Sequence, residues 1–137
     1  WDVTMTADGP LIIEANTMVD MARKQILPAV EGYAAELAAS LAAKKAVAPN
    51  LACAYEAGLV TKLSGLTDQI AEKTDELESA VLELKNAEDA KEEAFAIRDT
   101  ILGKMAALRA VADEAETQTS SDYWPFPTYG DLLFGVK

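Results

Sequence analysis

A chain of 137 residues that is half apolar, 7% aromatic and 26% charged is the size of one domain and can bury a hydrophobic core. Its formal net charge of −11 disfavours nucleic acid and anionic membrane surfaces as partners, because both are negatively charged. Histidine is absent, which excludes histidine-dependent catalysis and zinc sites that need imidazole.

The single cysteine indicates a cellular compartment, and the first residues indicate that the chain comes from a longer protein. Cys53 has no second cysteine to pair with, as is typical of a reducing compartment, and we expect a cytoplasmic protein. The chain begins at Trp1 without an initiator methionine or a signal-like segment, so we expect a piece excised from a longer protein. No uninterrupted apolar run of about 18 residues occurs, and this predicts no membrane span.

The first predicted helix covers residues 10–46. Pro10 suits its first turn, where the missing N–H costs nothing. Pro28 lies inside the helix and removes one backbone hydrogen bond, which predicts a kink or a break near Lys24. We favour the kink because the apolar register continues through Pro28. The apolar positions, at steps of three and four, are Ala15, Met18, Val19, Ala22, Ile26, Val30, Tyr33, Leu37 and Leu41.

The second predicted helix covers residues 54–86 and carries a seam of four residues, each seven apart, as in a coiled coil. The seam consists of Leu63, Ile70, Leu77 and Leu84. It then fails, because the next heptad positions are Lys91 and Arg98. We therefore predict a turn around Asn86 to Asp89. The alternative is one continuous helix of about 88 Å that needs a partner chain to cover its seam.

The third predicted helix covers residues 91–117. Its predicted inward-facing side chains are Ala94, Phe95, Ile101, Leu102, Met105, Leu108 and Ala112. Three long amphipathic helices with short connections favour an all-α fold, an antiparallel three-helix bundle in residues 1–121.

Residues 122–137 differ in composition and are predicted to form an extended docking tail. Pro125 and Pro127 keep this segment out of helix. Its apolar side chains either fold back onto the bundle or dock on another domain or subunit, because a free tail of this kind promotes aggregation. The predicted docking residues are Tyr123, Trp124, Phe126, Tyr129, Leu132, Leu133 and Phe134.

No residue pattern in the chain is typical of catalysis, of cofactor binding or of a metal site. Residues 72–93 have a net charge of −6, but they contain no EF-hand spacing and indicate a solvated helix face. Cys53 has no histidine to activate it, and no glycine-rich phosphate loop occurs. We predict no catalytic, cofactor-binding or metal-ligating residues.

Two segments resemble the C-terminal region of type III glutamine synthetases. Residues 13–30 (IEANTMVDMARKQILPAV) resemble the start of that region, and residues 122–134 (DYWPFPTYGDLLF) resemble its closing motif. Residues 97–102 (IRDTIL) and 108–116 (LRAVADEAE) are similar to its last long helix. The resemblance covers most of the chain from Ile13 onward.

The resemblance implies a parent enzyme of nitrogen metabolism. Such an enzyme joins glutamate and ammonia through a γ-glutamyl phosphate, with ATP and Mg²⁺ bound in domains upstream of this region. It also implies stacked hexameric rings. The expected role is a structural or assembly domain, without a cofactor of its own, whose partners are the catalytic domain of the parent and neighbouring subunits of a homo-oligomer. The alternative is an independent coiled-coil or helical-bundle interaction module that oligomerises through the Leu63–Leu84 seam.

Overall fold

A computed structural model describes residues 9–87 and 91–127, and every regular element in these two ranges is a helix. The elements are α1 (Gly9–Met21), a π-helical turn (Ala22–Ile26), α2 (Leu27–Val47), α3 (Ala54–Asn86) and α4 (Lys91–Gln118). With the stretch from α1 to α2 taken as one helix, the predicted bounds 10–46, 54–86 and 91–117 lie within one residue of those observed. The turn predicted around Asn86 to Asp89 lies partly outside the described residues.

The helix that contains Pro28 continues through it. A proline has no N–H for the carbonyl of Lys24, and its ring crowds that carbonyl. The π-helical turn Ala22–Ile26 lies immediately before, and a π turn accommodates a disturbed hydrogen-bond ladder without ending the helix. Ile26 and Val30 are both buried, so the apolar face is preserved on both sides of Pro28.

The expectation about membrane spans needs correction. The continuous helix Gly9–Val47 has 39 residues and is long and apolar enough to cross a membrane by length and composition. Scattered polar residues interrupt every long apolar run of this helix, but its many alanines keep the mean hydropathy high. Core helices of soluble proteins meet the same criterion, so the absence of a membrane partner stays a prediction.

The seam of α3 lies at the centre of the hydrophobic core. All four of its side chains are buried, and they share one cluster with buried side chains of α1, α2 and α4. Residues from the other helices in this cluster include Val19, Val30, Ile101 and Leu108. Because α4 packs along α3 within the same chain, the alternative of one continuous rod is wrong.

The inward face of α4 is narrower than predicted. Ile101, Met105 and Leu108 are buried, whereas Phe95 is 60% exposed and Leu102 is 53% exposed. At about 100° per residue, both lie roughly 100–120° around the helix from Ile101. They are therefore corrected from core to surface positions.

Candidate functional site

The aromatic segment after α4 is where the predicted docking residues meet the bundle. The backbone N–H groups of Tyr123 and Trp124 donate to the carbonyl of Ser120, at 2.9 and 3.1 Å, and close a turn. The hydroxyl of Thr119, which is buried, donates to the carbonyl of Ala115 at 2.7 Å and caps the end of α4. The carbonyl of Ala115 also accepts the backbone N–H of Thr119 at 2.9 Å, so two bonds from one residue close the last turn of α4. They also direct the three aromatic side chains onto the bundle.

Tyr123 packs on α2. Its ring lies 5.3 Å from the ring of Tyr33, tilted by 42°. Its hydroxyl donates a 2.6 Å hydrogen bond to Oε2 of Glu36. This bond raises the pKa of the Tyr123 phenol, because the neutral phenol can donate to a carboxylate and the phenolate cannot. A Cβ at Gly32 would meet the Tyr123 ring at 3.7 Å, so the ring lies close against the α2 backbone.

Trp124 and Phe126 lie against α1 and α4. Their rings lie edge to face, with centroids 6.2 Å apart and planes at 76°. Both side chains are partly buried against the core cluster. Together with Pro127 they line an apolar groove between α1 and α4 of about 420 Å³, which we call the α1/α4 groove. Other apolar residues lining it include Met18, Met21, Leu108 and Ala112.

The structure brings together only part of the predicted docking set. Tyr123, Trp124 and Phe126 contact the bundle of their own chain, whereas Tyr129, Leu132, Leu133 and Phe134 lie outside the described residues. Whether all seven form an interface stays a prediction. The sequence pattern did not identify Glu36, because its contact with Tyr123 joins residues 87 positions apart.

Ion pairs tie α3 to its neighbours along the acidic stretch. The guanidinium of Arg23 donates to both carboxylate oxygens of Glu78 at 2.7 and 2.9 Å and to Asp75 at 2.8 Å. These bonds lower the pKa of the Glu78 carboxyl, because they favour its charged form. Lys104 of α4 lies 3.5 Å from Glu76. Part of this stretch, predicted as a solvated face, therefore pairs with neighbouring helices.

Another ion pair lies at the C-terminal end of α2. Lys44 donates to the carboxylate of Glu56 in the first turn of α3. This hydrogen bond lowers the pKa of Glu56. Because the Lys44 side chain is 51% exposed, solvent screens this pair, and it orients the two helices more than it stabilises the fold.

The described residues give no geometry for metal chemistry. Among the side chains of residues 9–87 and 94–127, no group of three or more cysteine, aspartate or glutamate residues is placed to hold a metal ion. Cys53 is a buried free thiol. The prediction that the chain has no catalytic, cofactor or metal residue stays a prediction, since the remaining residues are not described.

Comparison with known proteins relates the chain to one enzyme. It is 30% identical over 125 residues to a glutamine synthetase of Butyrivibrio fibrisolvens, an alignment that covers 91% of this chain and 18% of that protein. It is 25% identical over 126 residues to a glutamine synthetase of Bacteroides fragilis (strain YCH46), which covers 89% and 17%. The chain thus spans less than a fifth of the length of these curated relatives. No family model and no solved structure matches.

Proposed function

We propose that this chain is the C-terminal helical domain of a type III glutamine synthetase, with a structural or assembly role and no catalytic role of its own. The observation that carries the proposal is that the alignments cover most of this chain but only a small part of each relative. Nearly the whole chain matches glutamine synthetases, yet it matches less than a fifth of their length. The resemblance of residues 13–30 and 122–134 to the C-terminal region of type III enzymes supports the enzyme type and the position of this chain within the parent protein.

The ion pairs between helices support the antiparallel arrangement of this domain. Arg23, in the first half of the long helix Gly9–Val47, bonds to Glu78 in the second half of α3. Lys44, near the end of that helix, bonds to Glu56 at the start of α3. Along this pair of helices, residue numbers therefore increase in opposite directions, as in an up-and-down bundle.

Burial of the α3 seam favours this proposal over an independent coiled-coil module. An interaction module that oligomerises through residues 63–84 needs those side chains on its surface. Leu63, Ile70, Leu77 and Leu84 are instead covered by helices of the same chain. The division into a bundle (residues 1–121) and a tail (residues 122–137) belongs to the same proposal.

Exposed apolar side chains at the α2–α3 connection support an interface with other parts of the parent. Val47, Leu51 and Tyr55 lie within nine residues of each other and are all exposed. In the proposed parent they face the catalytic domain or a neighbouring subunit of the homo-oligomer. ATP and Mg²⁺ act in the catalytic domain of this cytoplasmic enzyme of nitrogen metabolism, and none of their binding residues is assigned to this chain.

The isolated chain is expected to form no γ-glutamyl hydroxamate from glutamate, hydroxylamine, ATP and Mg²⁺. The physical reason is that the proposal places no phosphate-binding loop and no metal-binding carboxylate set in these residues. The assay is run beside the Butyrivibrio fibrisolvens enzyme as a positive control. Product above the blank from the chain alone would contradict the proposal.

The melting temperature at several concentrations of the same sample separates the two candidate functions. A bundle that buries its own seam unfolds at a temperature independent of concentration. A module held together through the seam dissociates as it unfolds, so its melting temperature rises with concentration. That second result would favour the coiled-coil alternative.

A further inference from the structure

The stripe of α4 that lines the α1/α4 groove contains large apolar residues outside the groove as well. Phe95, Leu102, Arg109 and Glu116 follow one another at seven-residue steps and therefore lie on one stripe of α4. Arg109 and Glu116 line the groove beside Trp124 and Phe126. At 1.5 Å per residue, Leu102 lies about 10 Å from Arg109 along α4, and Phe95 lies about 21 Å from it. The two large exposed apolar side chains of α4, Leu102 and Phe95, thus lie on the same stripe as the groove, towards the N-terminal end of the helix.

The described chain ends inside the same groove. After the turn at Ser120, the chain runs back over the bundle, and Trp124, Phe126 and Pro127 all line the groove beside α4 residues 108–116. The segment that follows, residues 128–137, therefore starts at the groove.

We propose that residues 128–137 bind along the α1/α4 groove of their own chain and that Leu132, Leu133 and Phe134 cover Leu102 and Phe95. These three residues lie five to seven positions after Pro127, so an extended chain places them about 17–25 Å from it. This reach matches the distance along α4 to the exposed pair. The covalent tether also keeps the segment at a millimolar effective concentration at the groove, which favours it over a free ligand.

Charge favours this segment over a second copy of the chain. The groove rim contains the acidic residues Glu14, Asp113 and Glu116 beside Arg109. Residues 128–137 contain one acid, Asp131, and one base, Lys137, so their side-chain charges cancel. A second copy of the chain brings a net charge of −11 to this acidic rim, whereas the segment brings none.

Disulfide trapping tests the proposal on the full chain. Cys53→Ala removes the native thiol, and Leu102→Cys with Leu133→Cys then places one thiol in the groove and one in the segment. The matched control is Leu82→Cys with Leu133→Cys, because Leu82 is 54% exposed, like Leu102, but lies on α3. In dilute protein under mild oxidation, we expect the 102–133 pair to close within one chain about tenfold faster than the 82–133 pair, because docking raises the local thiol concentration.

Two results of this experiment would overturn the proposal. Equal closure rates for the two pairs would mean that the segment does not prefer the groove. Disulfide-linked dimers as the main product of the 102–133 pair would mean that a second copy occupies it. Melting curves of both variants before oxidation establish that they are folded.

Removal of the segment gives a second, independent measurement. A chain that ends at Pro127 is expected to bind a hydrophobic fluorescent dye more strongly than the full chain, because Phe95 and Leu102 become accessible. Leu102→Ser in the shortened chain is expected to reverse most of that increase. An unchanged dye signal on shortening would contradict the proposal.

Discussion

Leu77→Ala is expected to lower the free energy of unfolding by about 2–5 kcal/mol, the range for truncating a buried leucine. Leu82→Ala in the same helix is expected to change it by less than about 0.5 kcal/mol, as at most surface sites. Leu77 is fully buried in the seam of α3, whereas Leu82 is 54% exposed. Because both substitutions remove the same atoms from one helix, the difference isolates burial from helix propensity. Urea denaturation followed by circular dichroism measures both values.

Equal losses of stability in the two variants would contradict the observed register of α3. If residues 72–93 formed only a solvated helix face, Glu78→Ala would be the natural surface control. It does not suit this comparison. The carboxylate of Glu78 accepts two hydrogen bonds from Arg23, so its removal also breaks a contact between helices. Leu82 has no such partner role among the described contacts and matches Leu77 in size.

Deletion of all residues after Ser121 is expected to lower the free energy of unfolding by about 2–4 kcal/mol. Full burial of one large apolar side chain is worth about 1.5–3 kcal/mol, and Trp124 and Phe126 are each partly buried against the core. The deletion also removes the Tyr123–Glu36 hydrogen bond and the Tyr33–Tyr123 ring contact. Chemical denaturation of the full and the shortened chain measures the loss.

A surface substitution and a spectroscopic measurement serve as controls for this deletion. Tyr55→Ala removes an aromatic ring that is 74% exposed and is expected to leave stability nearly unchanged. In a Trp1→Phe background, Trp124 is expected to emit at shorter wavelength in the folded chain than in denaturant. Unchanged stability after the deletion, with Trp124 emitting as in water, would make the aromatic segment a passive appendage.

The periodicity of apolar residues predicts most of this fold. Leu63, Ile70, Leu77 and Leu84 are buried as their seven-residue spacing predicts, since a face that repeats every two turns can be covered by neighbouring helices. Pro28 locates the irregularity in the first helix. Its form, a π-helical turn and not a simple kink, depends on how the surrounding helices hold both halves in register.

Two positions in α4 show where periodicity is insufficient. The helix is rich in alanine, so its apolar residues are compatible with a broad face that includes Phe95 and Leu102. Packing of α4 against α3 and α1 selects the narrower face around Ile101 and leaves these two side chains exposed. Only contacts between distant parts of the chain decide between the two faces.

For the candidate site, too, the sequence predicts one part and contacts between distant residues decide the rest. The aromatic composition of the segment after α4 predicts that it docks, but not where. Tyr123 contacts Tyr33 and Glu36 on α2, and Trp124 lines a groove between α1 and α4. These partners come from three helices and share no local motif with the segment.

The proposed assembly role is tested most directly on the Butyrivibrio fibrisolvens relative. Sedimentation velocity compares the intact enzyme, the enzyme lacking the region that matches this chain, and a chimaera in which this chain replaces that region. We predict that the deletion yields smaller particles and that the chimaera recovers the larger assembly. Particles of unchanged size after the deletion would contradict an assembly role for this domain.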